Sequence, residues 1–362
     1  MNAPRSRVNR RDLFRLRRTA NALRPTSVAA DSELVSTGNG TSLDLLRASR
    51  PAMGSWFEIR LAANTPGALG LAERAFETID ALEAQLTVYQ DDSEVCRLNA
   101  SAHRGPVAVE AGLFDLLRRA VALSAETDGA YDVTAGALSD AWGFVRGPRR
   151  VPDDAALNEA RSRTGWRHLI LDPDQLTVAF DRPGLTINLG SIGKGHAIDR
   201  AVDRIREYWW PTTALIHGGR SSLFALGSPP GRFGGRWQVA LRNPFVPATP
   251  IGMLSLRNRG IGTSGASFQQ FEADGRIYGH IIDPRTGVPA LGPASVTVFA
   301  PSAAEADALS TAFYLLGLDG TAAYVEQHPE IGVVFVLEGA ADRSPRIATF
   351  GLGDADFTHV SL

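Results

Sequence analysis

Residues Leu185 to Trp209 read LTINLGSIGKGHAIDRAVDRIREYW. Leu185 to Asn188 form a short apolar strand candidate, which feeds a turn holding Gly190, Gly193 and Gly195. Beyond the turn, Ile198, Val202, Ile205 and Trp209 recur on one face of a helix, and Asp199, Arg200, Asp203 and Arg206 fall largely on the other. A glycine-rich turn that opens a helix lets the backbone come close to an anion and aims the first N–H groups at it. Lys194, inside this turn, is the only lysine of the chain. Its compact ammonium differs from the planar fork of arginine, the basic residue used everywhere else. A solitary surface lysine is the plainer reading. The spacing is two residues short of a Walker A loop, lacks the hydroxyl after the lysine, and is not G-x-G-x-x-G. Local reasoning therefore ends at an anion site at a helix start.

The totals describe an ordinary soluble chain. It has 362 residues, 44% hydrophobic and 21% charged, with a formal net charge of −2, so no general attraction to nucleic acid follows. The single cysteine, Cys96, excludes a disulfide framework or a Cys-based metal site within the chain. The first 24 residues carry eight arginines and one acid, Asp12, and Arg10-Arg11-Asp12-Leu13-Phe14 resembles a twin-arginine export signal. No apolar segment follows it, so the expectation is a cytoplasmic protein with a basic, disordered tail over residues 1–48 and a single domain over 49–362. No apolar run is long enough for a membrane span.

Along the chain, Trp56 to Leu61 reads as a strand and Leu71 to Leu86 as an amphipathic helix. A second helix spans Leu113 to Val121, and Leu169 to Phe180 form a strand pair about Asp172-Pro173-Asp174. Asp132 reads as a helix cap. Further strands cover 213–218, 222–226, 237–241, 253–256, 278–283 and 295–300, and a capping box starts a helix at Ser302. In that helix Asp307 and Thr311 share a face. With Ser310 they offer oxygen ligands suited to Mg²⁺ or Ca²⁺, or else form an incidental polar face. Irregular alternation of strands and helices predicts a mixed α+β fold with largely antiparallel sheets and packed helices.

These segments together resemble the ApbE family, the FAD:protein FMN transferases, over roughly Met53 to Ala340. The resemblance is carried by AMGS at 52–55, SEVCRLN at 93–99, AYDVTAG at 130–136, NLGSIGKGHAID at 188–199, HGG at 217–219, TSG at 263–265, GHIIDPRTG at 279–287 and ADALST at 306–311. It implies an ApbE-like, T-fold-like architecture. It also implies an enzyme that splits FAD at its pyrophosphate, joins FMN to a Ser or Thr hydroxyl of a target flavoprotein and releases AMP, with Mg²⁺. Carried over residue by residue, FAD contacts fall on Met53, Tyr89, Ala130, Tyr131, Asp132, Asn188, Lys194, Gly218, Gly219, Ser264, Gly265, His280 and Ile282. The metal site falls on Ser191, Asp307, Ser310 and Thr311. Asn188 stands where the family usually has Asp, the loop is GSIGKG rather than GGIAKG, and Ala266-Ser267 replaces a frequent Asp-Tyr.

The chemistry agrees with the residues. Pyrophosphate cleavage needs positioning and charge neutralisation, which the glycine turn, Lys194 and a metal-bearing helix supply. A base for the target hydroxyl is also needed; His280 is the first choice and Asp283 the second. The target is expected to carry a Ser/Thr-Gly-Ala-Thr-like acceptor. Ser264-Gly265-Ala266-Ser267 resembles one, so self-modification at Ser267 is a further expectation. The competing readings are a Mg²⁺-dependent FAD pyrophosphatase giving FMN and AMP, and a non-catalytic FAD-binding protein. An aromatic Tyr89 favours transfer by the same resemblance.

Overall fold

The structure, a computed structural model, describes residues 29–36, 42–210, 212–219, 221–230, 235–246, 248–265, 269–339 and 345–360. Its centre is an antiparallel sheet built from β1 (Ala29–Ser36), β2 (Ser42–Ala52), β3 (Ser55–Ala62), β7 (Ala214–Gly218), β8 (Ser222–Leu226), β11 (Arg259–Ser264), β14 (Ser295–Ala300), β15 (Gly332–Glu338) and β16 (Pro345–Phe350), paired in that order. In this sheet β7, β8, β14 and β15 are apolar because both of their faces are covered. Phe57, Ile59, Leu61, Ile216 and Phe224 point to one face, against α1 (Ala68–Leu86) and α6 (Gly193–Arg206). Leu215, Leu223, Ala225, Ile261 and Phe299 point to the other, where β9 (Trp237–Arg242), β10 (Pro250–Leu256) and β17 (Phe357–His359) form a second layer. The period of two sorts each strand between two cores.

The long helix α7 (Ala303–Gln327) crosses beneath β11 and β14, and its apolar residues join a third core with Val296, Val298, Val333 and Phe335. That core is completed by α2 (Glu94–Ser101), α3 (Ala111–Glu126) and a small sheet of β4 (Val107–Ala108), β5 (Leu169–Asp172) and β6 (Thr177–Phe180). Two short helices, α4 (Gly136–Ala141) and α5 (Asp154–Ser162), pack beside the hairpin β12 (Gln270–Ala273) and β13 (Arg276–Gly279), with Trp142 and Ile282 between them. The fold is α+β with antiparallel sheets, as the sequence predicts.

Several local expectations are corrected. Strand β1 pairs with β2, and β2 begins at Ser42 and buries Leu45 and Ala48, so residues 29–36 and 42–48 belong to the sheet and not to the tail. Leu45 and Ala48 face different cores, and Arg47, Ser49 and Arg50 between and beyond them hide the pattern. Residues 1–28 of the expected tail lie outside the described residues, and so does the candidate acceptor Ser267. Trp209 does not extend the buried face of α6; the helix ends at Arg206 and the indole is 70% exposed. Leu185 to Asn188 make an isolated parallel bridge, Ala135 to Thr186, in place of a strand, although Leu185 and Ile187 are buried. Strand β13 stops at Gly279, before His280 and Asp283. Only half of the capping box at Ser302 forms: its hydroxyl accepts from Glu305 N at 3.1 Å, while the Glu305 carboxylate pairs with Arg119.

Candidate active site

The glycine turn and the ADALST helix meet at one end of the central sheet. A side chain at Gly195 would collide with the carbonyl of Ala303, and one at Gly262 with that of Ala306. Without those Cβ atoms, α6 and β11 let the start of α7 lie against them. Asp199 fixes the register by accepting from Ala303 N and Ala304 N, 2.8 Å each, which satisfies two of the free N–H groups at the start of α7. This closeness puts the Asp307 carboxylate 2.9 Å from Gly195 N, the second residue after the start of α6. Ser222, on β8, donates to the same carboxylate at 2.6 Å. Lys194 Nζ stands 3.8 Å from it. Asp307 is 5% exposed, and burial raises its pKa; Lys194, Ser222 and Gly195 each work against that rise.

Hydroxyl oxygens gather around the same backbone. Ser310 Oγ donates to the Asp307 carbonyl at 2.8 Å. Ser264, at the end of β11, places its Oγ 2.8 Å from Ser310 Oγ and 3.2 Å from Thr311 Oγ1. Gly265 follows, buried. Among the described residues no group of three or more His, Cys, Asp or Glu could hold a metal. The donors offered are one carboxylate with hydroxyl and carbonyl oxygens, which suits a small hard cation completed by water or phosphate. Tyr131 adjoins this cluster. Its Oη is buried, next to the Ser191 hydroxyl. Burial raises its pKa; the Ser191 hydroxyl partly offsets this, and the fields of Asp132 and Asp307 add to it.

The remaining predicted residues divide. Met53 and Gly54 form the two-residue turn between β2 and β3 with φ of 49° and 69°, both left-handed. Gly219 lies beside that hairpin: its N–H donates to Trp56 O at 2.7 Å, and a side chain there would crowd Ser55 Oγ. Gly218 pairs with Phe57 in the sheet. His217 is held between Glu58 at 3.3 Å and the Gly219 carbonyl at 3.2 Å, a structural role. Ala130 is buried. Asp132 caps no helix: one oxygen accepts from Thr134 N and Oγ1, the other from Trp166 N, so the carboxylate staples two loops.

Asn188 Oδ1 accepts from Gly190 N at 2.9 Å and shapes the glycine turn. Tyr89 is 43% exposed and follows Val88, which with Asp91 lines a cavity of about 410 Å³. Asn188 lines that cavity, as do Cys96, Asp140 and Arg146. His280 sits against Phe144, ring centroids 6.5 Å apart, with its Nδ1 3.2 Å from the Gln269 carbonyl. Ile282 is buried beside Trp142. Asp283 is taken up by Arg285, whose Nε and Nη2 donate to its two oxygens at 2.9 and 2.8 Å. Ser222 and Asp199 were not foreseen. Ser222 reads as one polar residue in an apolar strand and Asp199 as a solvent-side helix residue; only their partners on α7 give them meaning.

The chain matches the model of the ApbE family over residues 53–335. It is 32% identical over 300 residues to an FAD:protein FMN transferase of Treponema pallidum, covering 79% of this chain and 82% of that protein. A Vibrio cholerae protein of the same name is 31% identical over 318 residues, with 86% and 93% covered. Among solved structures, the ApbE protein of Thermotoga maritima superposes with a TM-score of 0.76 at 29% identity, over 83% of this chain and 97% of that one. The flavinyl transferase ApbE of Pseudomonas stutzeri, in its apo form, gives 0.74 at 30% identity, over 85% and 95%.

Proposed function

The chain belongs to the ApbE family, and from that premise we propose that it transfers FMN from FAD to a Ser or Thr hydroxyl of a target flavoprotein and releases AMP. The supporting observation is the meeting of Lys194 and Asp307, 3.8 Å apart, at the start of α6. A cation and a buried acid, so placed beside helix N–H groups, suit a diphosphate and its counter-ion.

Each residue then has a part. Lys194 offsets the charge of the diphosphate. Asp307, Ser310, Thr311 and Ser264 would hold a divalent cation, Mg²⁺ by the all-oxygen donor set. Ser191, next to the Tyr131 hydroxyl, would add a further oxygen. Such an ion supplies polarisation of a phosphoryl oxygen and charge neutralisation. Gly195 and Ser222 orient the Asp307 carboxylate. Tyr131 walls the site. His280 accepts the proton of the acceptor hydroxyl, whose oxygen forms a bond to the FMN phosphorus while the bond to the AMP oxygen breaks.

The test is incubation of the chain with FAD, Mg²⁺ and a protein carrying a Ser/Thr-Gly-Ala-Thr segment. A mass gain of one FMN on the acceptor, with equimolar AMP, is expected. Free FMN and AMP at the same rate with no acceptor would replace transfer by hydrolysis. FAD that stays bound and intact would leave only a flavin-binding protein.

A further inference from the structure

Among the described residues, the most exposed large apolar side chain is Leu291, at 95%. Val288, on the same segment, is also exposed. A single exposed leucine is ordinary on a protein surface. This one is set apart by the backbone that holds it. Asp283 N donates to the Val288 carbonyl at 3.0 Å and Ala290 N to the Ile281 carbonyl at 2.9 Å, with Ile282 and Pro289 bridged between them. Residues 288–290 therefore run antiparallel to 281–283, and the next step brings Leu291 to the level of His280. On its other side, Gly292 N–H donates to the Tyr314 hydroxyl. A side chain at Gly292 would strike the Tyr314 ring, so the two lie in close contact. Tyr314 stands on α7, one turn beyond Ser310 and Thr311. Pro289 and Pro293, with their fixed φ, stiffen the segment at both ends. Leu291 is thus held in solvent on an anchored backbone, between His280 and the oxygen-bearing turn of α7.

Transfer to a protein brings an acceptor Ser or Thr up to His280, and its neighbours in sequence then pass over whatever adjoins His280. An extended chain advances about 3.3 Å per residue. Side chains within about three residues of the acceptor hydroxyl therefore fall on the Val288–Leu291 segment. An apolar side chain fixed in place gains from being covered and loses little freedom when it is. We propose that Leu291, with Val288 beside it, is the specificity-determining contact for the acceptor protein, and that it takes an apolar side chain flanking the modified Ser or Thr. This rests on the transfer proposed above. It adds which surface of the chain the acceptor meets and what chemistry its flank must carry.

The test is steady-state transfer from FAD, with Mg²⁺, to a carrier protein bearing a Ser/Thr-Gly-Ala-Thr segment whose flanking positions are set in turn to Leu, Ser and Lys. Wild type, Leu291→Ser and Leu291→Glu are compared as full chains, with FAD dissociation constants and melting temperatures measured beside them. Wild type is expected to favour a Leu flank. Both variants should raise the KM for that carrier about tenfold or more, with FAD affinity and melting unchanged. Leu291→Glu should reverse the preference and favour Lys at the same flank, a rescue that a merely structural role would not produce. An acceptor KM that ignores both variants would overturn the proposal while leaving transfer in place. A rise that is equal for all flanks, with weaker FAD binding, would overturn it by giving Leu291 to the flavin. Wild type that flavinylates no carrier would overturn both the contact and the transfer it rests on.

Discussion

Asp307 is buried, charged and short of counter-charge, since Lys194 stands at 3.8 Å and its other partners are neutral. Taking such a carboxylate out of water costs several kcal/mol, which a single loose ion pair does not return. Asp307→Asn keeps the shape and removes the charge. The expected outcome is flavin transfer reduced by about a hundredfold or more, with thermal stability unchanged or higher. An activity assay beside a melting curve checks both halves. A drop in stability equal to the drop in activity would mark Asp307 as a structural residue. At Lys194 the neighbouring glycines leave room for a flexible stem. Lys194→Arg keeps the charge but brings a rigid fork, and is expected to raise the KM for FAD about tenfold or more, read by steady-state kinetics.

At the scale of elements, the crossing of α6, β11 and α7 sets the geometry. Gly195→Ala and Gly262→Ala each place a methyl against the backbone of α7, where no side chain can yield. Overpacking of this kind costs about 1–3 kcal/mol. Both variants should lower the urea midpoint and lose activity, because a shifted α7 carries Asp307 away from Gly195. A second device ties β2, β3 and β7 together. Burial works to raise the pKa of Glu58, but hydrogen bonds from His217, Arg60 and Arg47 outweigh it and hold the carboxyl at about 2, against 4.5 for the free group. The folded state thus binds that proton more weakly than the unfolded chain. The stabilisation is fully present above about pH 4.5 and is lost as pH falls through about 2. Urea titrations between pH 6 and 2 should show the gap between wild type and Glu58→Gln closing over that window; a gap independent of pH would contradict the assignment.

For the whole molecule, the α+β class and most elements are legible because the apolar period survives in them: β14 and β15 read as buried strands, and α1 and α6 as amphipathic helices. The pattern fails where tertiary contacts replace it. Leu185 to Asn188 are apolar enough for a strand, yet they lie between α2 and α4 with Asn99 bonding the Ile187 backbone in place of a neighbouring strand. Trp209 falls at helical spacing, but the helix has already ended. In the site, Lys194, Asp307, Ser310 and Thr311 stand out by residue type and spacing. Ser222 and Asp199 do not, because a neutral hydroxyl and a surface-type acid acquire their roles only from a helix about a hundred residues away. Asp132 and Asp283 are the reverse: acids with conspicuous positions whose oxygens are taken up by loop backbone and by Arg285.

The central claim is that two segments, the lysine turn and the start of α7, act together on one diphosphate. A double-mutant cycle on flavin transfer measures this directly, with Lys194→Met, Asp307→Asn and the pair, assayed by in-gel flavin fluorescence of a co-incubated acceptor with FAD and Mg²⁺. Groups that serve the same diphosphate are strongly non-additive. The account predicts that the double variant is scarcely worse than the poorer single one. Losses that simply multiply, or transfer that survives both substitutions, would contradict it.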